Sequence, residues 1–261
     1  MARTCIFCGQ TANSVEDAWP LWLTQRFIAP GAMEAQPGID APLKTWRVNR
    51  PELRLKWVCT TCNNGWMSQL ETRAEPVITR LLNCTTCTLD VHDCKTLTLW
   101  AVKTAMVLEA INGPERCLYS DLERCLLSHK RDQVPPFTFV WIAKWIDSAG
   151  PSSISRILSR ATTPDRATVT TLAFGCLAIQ VLKVVPRATL DPAMNITMEQ
   201  REGPWEQVAL QVWPQRRDPV SWPTLMGLQG EGGLDVLEKR FSPADAENEP
   251  ALVSGDPGDA S

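Results

Sequence analysis

The spacing of apolar residues predicts a helix over residues 65–82. The apolar side chains in this run recur at intervals that place them on one helical face. These positions are Met67, Leu70, Val77, Leu81 and Leu82. Pro76 lies inside the run, and we expect it to kink the helix or to begin a new one.

Two further helices are predicted after this one. Residues 96–112, TLTLWAVKTAMVLEAIN, are mainly apolar and lead into Asn-Gly-Pro, a combination that ends helices. Residues 121–131 follow, and Ser120 is the predicted N-cap because Glu123 comes three residues later, as in a capping box. The middle of the chain is therefore predicted to be helical.

After Pro136 the pattern changes to short segments that are rich in β-branched and aromatic residues. The segments are FTFVWIAKWI (137–146), SISRILS (153–159), ATVTTLAF (167–174), CLAIQVLKVV (176–185) and QVALQVW (207–213). We expect mainly antiparallel strands in a second layer of the protein. Nearer the N-terminus, LRLKW (53–57) alternates like a strand, and SVEDAWPLWLTQRF (14–27) predicts a strand or loop followed by a short helix. The predicted fold class is α+β.

Composition narrows the class of protein only slightly. An apolar content of 44% can fill the core of a globular protein of 261 residues. No apolar run reaches the ~20 residues that span a bilayer, and MARTCIFCGQ lacks the pattern of a signal peptide, so a cytoplasmic protein is expected. Residues 242–261 carry five acids and no base, which leaves a formal +2 on residues 1–241. The net charge therefore does not indicate a partner.

Two Cys-x-x-Cys pairs carry the clearest chemical signal. A tetrahedral zinc site needs four soft ligands from two places in the chain, and each pair presents two thiolates from one turn. In a reducing cytosol such pairs hold metal more often than they form disulfides. The predicted ligands are Cys5, Cys8, Cys59 and Cys62, with four unrelated buried thiols as the alternative.

A second group of candidate ligands has less regular spacing. It comprises Cys84, Cys87, His92 and Cys94. This order resembles a zinc knuckle, but that module has four residues between its His and its last Cys, and here there is one. A second metal site and free thiols in a polar loop between helices both remain open. Cys117, Cys125 and Cys176 lie on apolar stripes, which predicts core positions.

The stretches CIFCG, SVEDAWPLWL and VCTTCNNGWMSQLE, in this order, resemble the HNH (ββα-metal) endonucleases. They are most similar to a group of HNH endonuclease-like proteins of actinobacteria and their phages. TLTLWAVKTAMVLE also resembles a helix of that group, so the resemblance covers residues 5–112. It implies an N-terminal treble-clef module with structural zinc.

Four regions are expected on this basis. They are a zinc-stabilised HNH-like module at 1–83, a helical segment at 84–134, a β-rich domain at 135–241 and a disordered acidic tail at 242–261.

The resemblance also implies a catalytic site. In such enzymes a divalent metal contacts the scissile phosphate while a His activates the attacking water. Matched onto this chain, Glu16 is the metal-binding acid, Asn63 braces the loop, and Glu71 is a candidate third element. Glu71 is equally well interpreted as a solvated helix acid. Mg²⁺ or Mn²⁺ is the implied catalytic metal.

Asp17 stands where the family has its general-base His. A carboxylate is a weak base at neutral pH, and general-base catalysis contributes about 10²–10⁴ in rate. Either Asp17 joins Glu16 as a second acidic ligand, or the fold survives as a protein that no longer cuts. His92 and His129 lie outside the motif and are interpreted as surface residues.

A basic segment adjoins the second cysteine pair. Its basic residues are Lys44, Arg47, Arg50, Arg54 and Lys56. Neutralisation of phosphates supplies most non-specific affinity for nucleic acid, and Trp46 and Trp57 are interleaved with these charges. The segment is a candidate DNA-facing hairpin, with a solvated strand face as the alternative.

Two functions follow from the sequence. The first is an HNH-like, metal-dependent endonuclease that hydrolyses DNA phosphodiester bonds, with activity reduced by the loss of the base His. The second is a catalytically inactive zinc-scaffold protein that binds nucleic acid or a host protein, as a phage-type regulator would.

Overall fold

The computed structural model describes residues 3–26, 31–35, 44–48, 54–110, 118–128, 132–146, 152–159, 166–185, 205–214, 218–229, 233, 237 and 253–254. Within these ranges helices and mainly antiparallel strands are mixed, so the α+β class is confirmed. None of the helices in the described ranges has the length and apolar character needed to cross a membrane.

The N-terminal region consists of two small antiparallel ladders and short helices. Its elements are β1 (Ser14–Asp17), α1 (Leu21–Thr24), β2 (Gly31–Ala35), β3 (Lys44–Val48), β4 (Arg54–Val58) and α2 (Thr60–Cys62). β1 pairs with β4, and β2 pairs with β3. The predicted strand at 53–57 and the strand-then-helix at 14–27 are confirmed.

Three helices form the middle of the chain. They are α3 (Ser68–Leu82), which follows a π-helical turn at Asn63–Met67, α4 (Val91–Ala110) and α5 (Asp121–Ser128). Pro76 lies within α3 and does not begin a new helix. The buried side chains on both sides of Pro76, such as Ala74 and Val77, keep the helix packed along its length. The capping box is confirmed, since the Ser120 N–H donates to Glu123 Oε2 at 2.9 Å and the Glu123 N–H donates to Ser120 Oγ at 3.3 Å.

Most remaining strands join one sheet. The elements are β5 (Cys87–Leu89), β6 (Thr138–Trp145), β7 (Ser152–Ser159), β8 (Arg166–Phe174), β9 (Leu177–Val185), α6 (Trp205–Val208), β10 (Ala209–Trp213), β11 (Val220–Trp222), β12 (Met226–Leu228) and β13 (Val253–Ser254). The strand order is β13-β12-β6-β9-β8-β7, and β10 also pairs with β6. Its ladders are antiparallel except for β12 against β6.

Two differences from the sequence-based expectation lie at the edges of this architecture. Cys87–Leu89 is not a loop but a strand paired with β11, because Leu89 is buried and Thr88 is β-branched. Val253–Ser254, inside the predicted disordered tail, pairs with β12, and the rest of that tail lies outside the described residues.

A continuous apolar core connects the N-terminal region, α4 and the sheet. Phe174, at the end of β8, lies between two buried tryptophans. Its ring packs edge-on against Trp19 at 5.5 Å and against Trp100 at 6.0 Å. The core therefore crosses the boundaries predicted at 83/84 and 134/135.

Glu109 is an acidic residue at the end of α4 that is buried in this core, with 9% exposure. Its Oε2 accepts a hydrogen bond from the Leu118 N–H at 3.0 Å. Burial raises the pKa of Glu109 to about 7, although the hydrogen bond from the Leu118 N–H and the charge of Arg124 act in the opposite direction. Folding therefore favours the protonated carboxyl.

We predict that Glu109 makes stability fall as pH rises. The pKa of Glu109 is about 7 in the folded protein, above the ordinary value of 4.5. The free energy of unfolding that the protonated carboxyl contributes is therefore fully present below pH 4.5 and is lost as the pH rises through 7. The loss amounts to about 3 kcal/mol. Urea unfolding between pH 4 and 8 measures it. Glu109→Gln should lose this decrease of the free energy of unfolding with pH. Glu206→Gln, on the exposed face of α6, is the control and should keep it. An equal decrease in both variants would contradict the prediction.

Candidate metal centre

The first cysteine pair lies in a tight hairpin tip. Thr4 and Thr11 form an antiparallel bridge, and the Cys5 N–H donates to Gln10 O at 2.6 Å. The Gly9 N–H then donates back to Cys5 O at 2.9 Å, with Gly9 at φ +72°. That left-handed conformation favours glycine, which explains the Cys-x-x-Cys-Gly sequence.

The second pair spans the start of α2. Cys59 is the extended N-cap residue, and its Sγ accepts from the Cys62 N–H at 3.4 Å. Asn13, just before β1, holds this turn, because its Oδ1 accepts from the Thr60 N–H at 2.9 Å and from Thr60 Oγ1 at 3.1 Å. The tip therefore keeps both sulfurs on one side.

The two tips bring all four sulfurs together. The Sγ atoms of Cys5, Cys8, Cys59 and Cys62 lie within 4.8 Å of one another, and Cys8 Sγ is 3.5 Å from Cys59 Sγ. A tetrahedral zinc site with Zn–S bonds of ~2.3 Å has sulfurs about 3.8 Å apart. The geometry fits, so the cluster could hold a metal such as zinc.

The protein environment already favours a thiolate in this cluster. A hydrogen bond from Cys62, together with backbone hydrogen bonds, lowers the pKa of Cys5 to about 4, against the effect of burial. The same contact and burial raise the pKa of Cys62. Because the ligands of a metal are thiolates, binding of a metal here would release the protons of the remaining thiols.

Helix α5 fixes the first tip from outside. The Arg124 Nε donates to Ile6 O at 2.8 Å, and Ser128 Oγ donates to Phe7 O at 3.3 Å. The Phe7 ring also packs edge-on against Trp66, 5.0 Å away. The backbone of the tip is thereby held by groups that the sequence pattern did not identify.

The predicted acids Glu16 and Glu71 meet at a lysine that sequence reasoning missed. Lys103 Nζ, in the middle of α4, donates to Glu16 Oε1 at 3.3 Å and to Glu71 Oε1 at 2.8 Å. Lys103 is 0% exposed and Glu16 is 5% exposed. The signal in the sequence was Lys103 as the one charged residue within the stretch 96–108, since a buried lysine requires an acidic partner.

Two acids share one lysine in this group, which we name the Lys103 triad (Glu16, Glu71 and Lys103). Burial raises the pKa of Glu16, and Lys103 opposes that effect. Burial also acts to lower the pKa of Lys103, but the two carboxylates outweigh it and the net direction is upward. Lys103 is therefore a cation held between two acids.

The other two predicted site residues lie around β1 rather than in the triad. Asn63 Nδ2 donates to Ser14 Oγ at 2.9 Å and to Val15 O at 3.1 Å, so it joins the second tip to β1. Asp17 lies on the outer face, where its Oδ1 accepts from Arg54 Nε at 3.2 Å. Glu16 and Asp17 thus have separate partners.

The basic segment is described only in part. Lys44 and Arg47 belong to β3, whose side chains lie outside the described residues, as does Arg50. Arg54 and Lys56 lie two positions apart on β4, and both are on its exposed face. On the opposite face of β4, the Arg3 guanidinium lies 4.8 Å from the centre of the half-buried Trp57 ring.

The second cysteine group does not gather around one point. Within the described ranges, the four sulfurs named above form the cluster with metal-ligand spacing, and Cys84, Cys87, His92 and Cys94 do not. Cys94 is buried in α4, whereas His92 is exposed and Cys87 lies on β5. His129 lies outside the described residues.

We predict that Cys59→Ser releases about one zinc per chain and unfolds the N-terminal region, because binding of a structural metal is coupled to folding. Metal analysis and far-ultraviolet circular dichroism measure the two effects. Cys87→Ser is the matched control and should retain zinc, since Cys87 is outside the cluster. Purified wild-type protein without zinc would contradict the prediction.

We predict that Lys103→Met lowers the free energy of unfolding by about 3–5 kcal/mol, because it leaves two carboxylates close together without a cation. The loss should grow with pH as Glu16, whose pKa burial raises, becomes ionised. Urea unfolding measures the change. Lys95→Met, at an exposed position of the same helix, is the control and should cost far less; similar costs for both variants would refute the role of the triad.

The chain matches no family model, no curated protein and no solved structure. The resemblance to HNH proteins therefore depends on the sequence motifs alone.

Proposed function

We propose that this chain is an HNH-like module, stabilised by structural zinc in a treble-clef-like arrangement, that binds nucleic acid without cutting it. The observation that carries the proposal is the buried Lys103 ammonium between Glu16 and Glu71. It occupies the space between the acids where the resemblance implies a catalytic metal.

Electrostatics argue against a divalent metal at the same place. Mg²⁺ about 4 Å from the ammonium would be repelled by roughly 8 kcal/mol at an effective dielectric constant of 20. Both carboxylates already have a cationic partner, and Glu16 is almost fully enclosed. A phosphate group outside the protein would not reach this carboxylate.

The position of the expected general base supports the same conclusion. Asp17 replaces the His, and it forms an ion pair with Arg54 on the outer face of β1. A general base must lie within hydrogen-bond reach of the water that it activates, beside the metal. Here Asp17, the candidate base, is paired with Arg54, and Glu16, the buried acid, is paired with Lys103.

The outer face of β4 supplies the proposed contact with nucleic acid. Arg54 and Lys56 are exposed on this strand, directly before the second cysteine tip. Trp57 lies on the opposite, half-buried face of β4 and packs against the core, with Arg3 over its ring, so the two basic side chains form the proposed contact. Such basic side chains contact phosphates without reading sequence. Non-specific binding to DNA is therefore favoured over binding to a host protein.

One observation favours the alternative, a DNA endonuclease that uses Mg²⁺ or Mn²⁺. The carboxylates of Glu16 and Glu71 approach the same point, as two ligands of one metal would. If Lys103 left this point, the acids would provide such a ligand pair.

We predict binding without cleavage. In fluorescence anisotropy, the wild type should bind labelled duplex with a strong salt dependence. Lys56→Gln should weaken that binding roughly 3- to 10-fold and reduce the salt slope by about one. Lys95→Gln removes the same charge from α4 and serves as the control.

The same wild-type protein should leave supercoiled plasmid intact in the presence of Mg²⁺ or Mn²⁺. Nicking by the wild type that Glu16→Gln abolishes would establish the endonuclease instead. If the protein neither binds duplex DNA nor nicks plasmid, the proposal is wrong. The remaining hypothesis is then a zinc-scaffold protein that binds another protein.

A further inference from the structure

We propose that Arg124 and Ser128 of α5 are positioning residues of the four-sulfur cluster, and that metal binding and the docking of α5 on the first cysteine tip stabilise each other. The four-sulfur cluster consists of Cys5, Cys8, Cys59 and Cys62. The inference rests on the structural zinc of the proposed function and is independent of nucleic-acid binding. It makes α5, which lies outside the predicted zinc module at 1–83, a part of the metal centre.

The first observation is the place where two hydrogen bonds from α5 end. Ile6 and Phe7 are the two residues between the cysteines of the first tip. The Arg124 Nε–H donates to Ile6 O at 2.8 Å, and the Ser128 hydroxyl donates to Phe7 O at 3.3 Å. Both donors belong to buried side chains. One helix therefore fixes the carbonyl groups of both residues between the ligands.

These two contacts also orient N–H groups of the tip. In a planar trans peptide the C=O and the N–H point in opposite directions, and the Ile6 and Phe7 carbonyls share their peptides with the N–H groups of Phe7 and Cys8. Holding the carbonyls towards α5 therefore turns both N–H groups away from this helix. The backbone groups of Phe7 and Cys8, after the side chain of Cys62, are among the contacts that lower the pKa of Cys5. This agrees with N–H groups that are directed at a ligand sulfur.

Arg124 also brings a positive charge to the tip. Zn²⁺ with four thiolates has a net charge of −2, and an arginine side chain stays charged in folded proteins. The guanidinium of Arg124 is buried and also donates to Tyr119 O and to Asp121 Oδ1. Asp121 is exposed, so solvent screens its negative charge. The buried cation is therefore available to stabilise the negative charge of a metal–thiolate cluster.

Contacts that do not involve the cluster fix α5 to the sheet. The Glu123 carboxylate accepts from Lys183 Nζ of β9, and the same Nζ donates to Pro136 O at 2.8 Å. Leu127 of α5 is buried in the main apolar core. The sheet therefore sets the positions of Arg124 and Ser128, and α5 presents the first tip with less ordering left for the metal to impose.

This arrangement predicts a reciprocal effect. If the contacts from α5 raise the affinity of the cluster for zinc, then zinc must stabilise the docking of α5 by the same factor. Hydrogen bonds outside the ligands of a metal site typically contribute 10- to 100-fold in metal affinity. The effect on zinc binding is therefore large enough to measure.

Cys125, on the same helix, is not a further ligand, because its sulfur does not belong to the four-sulfur cluster. It is partly exposed, so the core position predicted for it is wrong, as it is for Cys176 in the turn between β8 and β9. Cys117 lies outside the described residues.

The first test measures the zinc affinity of the full chain by competition with a chromophoric chelator. We expect Arg124→Met to lower the affinity about 10- to 100-fold. Ser128→Ala should lower it about 3- to 10-fold, as the loss of one neutral hydrogen bond does. Leu122→Ala, at an exposed position of α5, is the matched control and should leave the affinity unchanged. A role in helix packing alone would reduce the free energy of unfolding without changing the zinc affinity.

Hydrogen exchange of the wild-type chain supplies a second test that does not depend on whether Arg124→Met folds. Removal of zinc with a chelator should increase amide exchange in residues 121–128, while the amides of β8 and β9 keep their protection. Unchanged exchange in α5, or an equal increase in α5 and in these strands, would overturn the proposed coupling.

The outcomes also separate this inference from the proposed function. Wild-type protein that binds no zinc would contradict the structural zinc, and this inference would fall with it. Zinc-binding wild-type protein whose Arg124→Met and Ser128→Ala variants have the same zinc affinity would overturn the positioning role alone.

Discussion

The convergence of four sulfur atoms within 4.8 Å constrains the entire N-terminal region. Ionised sulfurs this close repel one another, so the arrangement requires a cation or retained protons. The two tips come from positions some fifty residues apart, and they can meet only if β1 pairs with β4 and Asn13 and Asn63 fix the second tip. The same pairing fixes the faces on which Glu16 and Asp17 lie.

Strand alternation separates the two neighbouring acids and so decides their chemistry. Successive side chains of a strand point to opposite faces. Glu16 is directed inward to Lys103 of α4, and Asp17 is directed outward to Arg54 of β4. An acid-rich metal centre containing both residues would require them on one face. The ladder opposes that arrangement and instead gives one buried triad and one exposed ion pair.

Local patterns predicted most elements and both cysteine tips, because helix period, strand alternation and Cys-x-x-Cys spacing are properties of adjacent residues. Ser120 and Glu123 form the predicted capping box for the same reason. Contacts between residues that are far apart in the sequence could not be predicted from the spacing of residues along the chain. Arg124 reaches Ile6, and Lys103 reaches Glu16, across 118 and 87 positions. A lone lysine in an apolar stretch indicates that a buried partner exists, but not which acid it is.

The Lys103 triad also joins three elements of the fold through one buried cation. A metal site supplies a cation that dissociates, whereas a lysine supplies one that is covalently attached to α4. Lys103 joins β1 and α3 to the central helix through Glu16 and Glu71. The packing of these elements therefore does not depend on a metal bound between the two acids. Glu16 and Glu71 hold structural contacts, while Arg54 and Lys56 are exposed on β4.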